Sequence, residues 1–290
     1  MTIDGVDARD YDDAICGRKS DDGWLLQIAI ADVSHYVRPG TAIDKAAGSR
    51  GNSTYFVDRV IPMLPEALSN DLCSLRPDED RLAIVCSISI SFSGAILEWN
   101  FDQAWIRSRF RLTYNEVDRY FKTKEERFHQ AWGKAVCESL DIATKVVLAR
   151  RDLCIETGRI DIRFPETAIT LGDNGTVLDI GYRETTNATR LIEECMLSAN
   201  LCAARTIEKA LDSAVYRVHE VPSPQDLVHL RQVLERFGIT LSGGTSPTIQ
   251  DFNRTLNMAR EMLGQGQWVE GLISVSYTHL RAHETRHDLV

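Results

Sequence analysis

The stretch TIDGVDARDYDDAI, residues 2–15, sets Asp4, Asp7, Asp10, Asp12 and Asp13 just ahead of WLLQIAIADV, residues 24–33. The second stretch is a short apolar run rich in Ile and Val behind DDG, and it reads as a buried strand. The first is harder to account for. Two carboxylates about 4 Å apart repel by roughly 4 kcal/mol at an effective dielectric near 20, so gathering several is costly unless protons or cations intervene. In extended or loop backbone Asp10 and Asp12 point one way and Asp13 the other, and a turn at Gly5 can bring Asp4 back beside them. Hard divalent ions want such oxygens. Magnesium in particular takes a few carboxylates and leaves its other positions to water and substrate phosphates. Two such ions about 4 Å apart can activate a water and stabilise the leaving oxygen of a phosphodiester. The plain rival is a solvated acidic loop. An EF-hand calcium loop is excluded by spacing, because the sixth position counted from Asp10 is Ile15 rather than Gly. Residue chemistry alone leaves the metal site and the solvated loop both open.

Outward from this stretch the pattern is mixed. Residues 41–50 form a short helix with Thr41 as N-cap, and RVIPMLPEALSNDLCSL is an ordered loop leading into another. RLAIVCSISISF is a strand, and GAILEWNFDQAWIRS pairs with it after a turn at Ser93-Gly94. Residues 114–155 are mostly helical, and strands return in GRIDIRF and in TAITLGDNGTVLDIGY, the latter turning at Asn174-Gly175. Residues 186–210 make the strongest helix, with Leu191, Ile192, Cys195, Met196, Ala199 and Cys202 as one apolar stripe. Glu193 and Glu194 flank that stripe, so periodicity places both in solvent. AVYRVHE, with Arg217 and His219, is a strand, and a helix from Ser223 ends at Gly238. The expectation is an α+β (mixed α/β) fold in one domain over residues 1–274.

Composition narrows the class. The 290 residues are 43% hydrophobic and 26% charged, which is globular. No apolar run approaches the roughly 18 residues of a membrane span. The seven cysteines form no CxxC pair and sit mostly in apolar segments, as reduced thiols of a cytoplasmic protein do. With 33 basic and 42 acidic residues the net charge is −9, which argues against a broad basic nucleic-acid face. It leaves room for a local basic channel, or for a site where metal supplies the positive charge.

TIDGVDARDYDDA resembles the signature that opens the catalytic domain of the ribonuclease II/ribonuclease R family, the RNB-domain exoribonucleases. IAIADVSHYVRPGTAIDKAA, RGNSTYFVDRVIPMLPEALSNDLCSLRPDEDRLA, RLTYNEV and LIEECMLSANLCAAR resemble further blocks of that family, in its order and at similar spacing. The resemblance spans roughly residues 2–273 and is nearest the bacterial ribonuclease R branch. It implies a mixed β-sheet flanked by helices, with Asp4, Asp10, Asp12 and Asp13 holding magnesium, or manganese in its place. Asp7 is not among the ligands the family uses. Asp10 and Asp12, with Tyr114 near the scissile phosphate and Glu194 of the EE pair, are the implied catalytic residues. Tyr55 and Phe164 are the implied jaws that grip the last bases, a form of stacking that tolerates any sequence. The implied activity is processive, two-metal, 3′-to-5′ hydrolysis of single-stranded RNA to nucleoside 5′-monophosphates by a monomer with no membrane association. An RNA-binding relative with an impaired site is the alternative.

Beyond residue 274 the likeness ends, and an arginine-bearing segment that the family carries further on is not found. The chain is therefore expected to be a fragment of the domain, weak or inactive by itself. HETRH, residues 283–287, satisfies the HExxH zinc-peptidase spacing, with His279 one turn earlier. Only three residues follow His287, too few for the further ligand such a site needs. Residues 275–290 are expected to be a non-native tail, similar to translated adaptor sequence.

Overall fold

The computed structural model describes residues 1–160, 162, 166–172, 174–183, 185–211, 222–263 and 269–273. The amino-terminal part runs β1 (Thr2–Asp4), β2 (Asp13–Ser20), β3 (Gly23–Ala31), α1 (Val33–Tyr36), α2 (Ala42–Arg50), β4 (Thr54–Tyr55) and β5 (Val60–Ile61). A π-helical turn, Leu68–Leu72, leads to β6 (Asp80–Ser91), β7 (Ile96–Arg107), β8 (Arg111–Thr113), α3 (Tyr114–Thr123), α4 (Glu126–Trp132) and α5 (Lys134–Glu156). Then follow β9 (Glu166–Leu171), β10 (Val177–Arg183), α6 (Asn187–Leu211), α7 (Pro224–Glu235) and α8 (Ile249–Leu263). The fold is mixed α and β, as the sequence pattern requires.

The chain divides into two compact units. One comprises Met1–Arg151, Ala168–Gly181 and Thr186–Ala203, the other Asp152–Thr167, Tyr182–Thr185 and Ala204–Val290. The first is organised by an antiparallel sheet in the order β2-β3-β6-β7. Side chains alternate across a strand, so the register Ile15↔Ile28↔Cys86 puts these three on one face. Leu26, Ile88 and Ile90 join them in a core shared with Cys137, Leu140, Ala143 and Val146 of α5 and with Leu191, Cys195 and Cys202 of α6. Contact with α5 is close at Gly17: a Cβ there would lie 2.7 Å from the Ala143 amide nitrogen and 2.8 Å from the Ser139 carbonyl oxygen. The β6–β7 hairpin turns at Gly94, whose φ of +84° suits glycine.

A separate core in the second unit joins Leu227, Leu230 and Leu234 of α7 to Phe252, Leu256 and Ala259 of α8 and to Val269 and Ile273. Ser223 caps α7 by accepting from the Asp226 amide. Within this unit Arg260 donates from Nε to Glu270 Oε1 at 2.9 Å. The segment AVYRVHE, with Arg217 and His219, lies outside the described residues, as does everything from residue 274 onward, including HETRH. In GRIDIRF the described residues Gly158, Arg159, Ile160 and Ile162 are not in a strand.

Candidate active site

Asp4 and Asp13 come within electrostatic reach of each other because β1 and β2 bracket the loop between them. β1 lies parallel to β8 in the register Thr2↔Arg111, Ile3↔Leu112, Asp4↔Thr113, burying Ile3 and Leu112. That pairing sets Asp4 beside the residue that starts α3. Thr113 forms a capping box there: its hydroxyl accepts from the Glu116 amide at 3.3 Å while the Glu116 carboxylate accepts from the Thr113 amide at 2.9 Å. Tyr114 is thereby fixed as the first helical residue. Asp13 opens β2 opposite Ile30, and the Asp12 carbonyl accepts from the Ala31 amide at 2.9 Å.

The intervening loop is held from two sides. Ser74, fully buried, accepts from the Tyr11 amide at 3.0 Å and donates to the Arg9 carbonyl at 3.0 Å, and the Leu75 amide donates to the Tyr11 carbonyl. From the other side Arg111 Nη2 donates to the carbonyls of Gly5 and Val6. Neither Ser74 nor Arg111 was singled out from sequence. Both lie inside family-like blocks, but nothing local marks a serine in a loop or an arginine opening a strand as a brace.

The carboxylates feel one another. Burial, then the charge of Asp13, pushes Asp4 up to about 7; Asp10 and Asp12 add to the rise and Arg111 opposes it. Burial and then Asp12 bring Asp13 to about 6, against the pull of the chain's amino group. Asp12 is raised by burial and by Asp10. Burial, then Asp4 and Asp13, lifts the Tyr114 phenol to about 12, so this tyrosine is protonated at neutral pH and its hydroxyl can donate. Asp4 Oδ2 and Asp13 Oδ2 are both buried and have no hydrogen-bond partner among the described residues. Buried polar atoms are nearly always paired, so two such oxygens near each other's charge call for a cation or a proton.

Glu194 corrects the periodicity argument. It is 4% exposed, whereas Glu193 is in solvent. The buried arc of α6 takes in Ser198 as well and leaves Met196 only partly covered, so it is turned toward Glu194 and away from the far edge of the apolar stripe. Burial pushes the thiol of the neighbouring Cys195 up, and the charges of Asp13 and then Glu194 push it the same way. Tyr55 stands on the β4–β5 hairpin, 70% exposed, with Phe56, Val57, Val60 and Ile61 also open to solvent. Phe164 lies outside the described residues. Asp7 is exposed. The structure thus places Asp10, Asp12, Asp13 and Tyr114 within electrostatic reach of Asp4, buries Glu194 on α6, and leaves Tyr55 on an open hairpin.

Among the described residues no three His, Cys, Asp or Glu side chains converge tightly enough to enclose a metal ion. The donors still suit a hard divalent cation, which magnesium sites hold through one or two carboxylates with water and phosphate completing the shell. The two partnerless oxygens of Asp4 and Asp13 are groups such an ion would satisfy.

The family model described as the RNB domain matches residues 1–280. The chain belongs to the RNB-domain family. This RNB chain is 41% identical to the ribonuclease R of Vibrio parahaemolyticus over 268 residues, covering 91% of itself and 31% of that protein. It is 41% identical to the Vibrio cholerae ribonuclease R over 262 residues, covering 90% and 32%. Among solved structures it resembles Mycoplasma genitalium RNase R in complex with ribose methylated single-stranded RNA, with TM-score 0.88 and 29% identity, covering 95% of this chain and 43% of that one. The chain spans about a third of the length of the curated relatives it matches. No helix among the described residues is long and apolar enough to cross a membrane.

Proposed function

We propose that this chain carries the hydrolytic site of a 3′-to-5′ exoribonuclease that degrades single-stranded RNA processively to nucleoside 5′-monophosphates, as a cytoplasmic monomer. The partnerless, buried carboxyl oxygens of Asp4 and Asp13, in a chain of the RNB family, carry the assignment. Relatives named ribonuclease R, and the RNA-bound mycoplasmal structure, support the choice of substrate.

In this mechanism Asp4, Asp10, Asp12 and Asp13 would hold divalent magnesium, with manganese as a substitute. When bound, a pair of such ions supplies an activated water and charge stabilisation at the leaving oxygen. The protein's share is placement. Asp4 and Asp13 come from the ends of strands fixed by backbone pairing, whereas Asp10 and Asp12 come from the braced loop. Tyr114, protonated at neutral pH, donates a hydrogen bond to the scissile phosphate from the start of α3. Glu194 adds a buried carboxylate on α6. Tyr55 and Phe164 stack the terminal bases, each worth about 1–3 kcal/mol.

The test is magnesium-dependent release of mononucleotides from a labelled single-stranded RNA, with the chain in molar excess over RNA so that weak turnover is seen, by the wild type and by Asp12→Asn. The expected outcome is loss of release in the variant with RNA binding retained. Release that persists in Asp12→Asn, or that proceeds in excess chelator, refutes the proposal.

A further inference from the structure

Arg111 sits where its charge ought to be harmful. It is a cation within electrostatic reach of Asp4, whose pKa it lowers, at a site that is to accept another cation. Its geometry suggests why it is there. Nη2 donates to the Gly5 carbonyl at 2.6 Å and to the Val6 carbonyl at 2.8 Å, fixing the turn that follows Asp4. The guanidinium carbon lies 5.6 Å from the ring centroid of Tyr11, the residue between Asp10 and Asp12. One side chain thus touches the loop just after its first aspartate and again between two later ones. Its own backbone is locked in β8, paired with Thr2, three residues before Tyr114.

We propose that Arg111 is a positioning residue for divalent-ion binding, tying the aspartate loop to the strand that delivers Tyr114 so that Asp10 and Asp12 are held in place relative to Asp4. The inference rests on the metal-binding role proposed above for the aspartates. It makes a prediction opposite in sign to simple electrostatics. A nearby positive charge by itself repels a metal ion, so on charge alone its removal tightens binding. A brace acts the other way, because freeing the loop makes the ion pay for ordering it. Groups that orient metal ligands without touching the metal typically contribute about 10–100-fold in affinity. Lysine keeps the charge but has no planar group to stack on Tyr11 while bonding both carbonyls, so it replaces arginine only in part.

The experiment is titration of the intact chain with manganese chloride alone, reading free Mn2+ by electron paramagnetic resonance, for wild type, Arg111→Met and Arg111→Lys. Ion-free thermal melts check folding. The expected result is affinity falling roughly tenfold or more in Arg111→Met, with Arg111→Lys between the two. Unchanged or tighter binding by folded Arg111→Met overturns the proposal. Should that variant fail to fold, wild-type affinity in Arg111→Lys overturns it and weakened affinity upholds it. A wild-type chain that takes up no Mn2+ sinks the metal role of the aspartates, and this inference with it; failure of the brace alone shows only in the variants.

Discussion

Removing a charge from the aspartate cluster should make the ion-free protein more stable, and Asp13→Asn is the sharpest case. Burial and Asp12 raise the Asp13 pKa from 3.8 to about 6, and Asp4 rises to about 7. A carboxyl whose folded pKa lies above its unfolded value binds protons more tightly when folded. What these two groups contribute to stability is therefore fully present below about pH 4 and is lost as pH climbs through about 6 to 7. At about 1.4 kcal/mol per pKa unit, the two-unit rise of Asp13 amounts to roughly 3 kcal/mol at neutral pH. Part of that is shared with Asp4, which is partly open to water, so about 1–3 kcal/mol remains for the single substitution. Melting followed by circular dichroism in chelator should show a midpoint roughly 3–8 °C higher for Asp13→Asn at about pH 7.5, and almost no gain at about pH 4. Added magnesium should raise the wild-type midpoint and leave the variant nearly unmoved. A lower midpoint at neutral pH, or an equal gain at both pH values, would refute the claim that two buried charges are held together at a cost.

Gly17→Ala should destabilise the first unit by about 1–3 kcal/mol, because the new Cβ meets α5 backbone rather than a yielding side chain; an unchanged denaturation midpoint would contradict the packing described. Tyr55→Ala should weaken single-stranded RNA binding by about 1–3 kcal/mol. Its melt should not move, since the ring is 70% exposed, and unchanged RNA affinity would remove Tyr55 from the proposed grip.

Local pattern was enough for most elements. Alternation in RLAIVCSISISF produces β6, and Thr41 and Ser223 cap the helices that their positions announce. Crowding of carboxylates near the amino terminus was equally plain, since it needs only residue identity. Glu194 was misplaced by the same kind of reasoning. A stripe defines the centre of a helix's apolar face but not how far burial extends around it, and that depends on what packs alongside. The pairing of Asp4 with Asp13 was legible only as an allowance made by a turn at Gly5.

What the sequence by itself determined is therefore the alphabet of the site: oxygen-bearing side chains, a tyrosine at a helix start, strands and helices to carry them. Which of those oxygens are buried without partners was decided in large part by contacts far apart in the chain, above all β1 against β8. The braces Ser74 and Arg111 likewise reach the loop across 63 and 106 positions. Hydrogen bonds of that range depend on the packed arrangement of whole strands, and short-range periodicity holds no information about them.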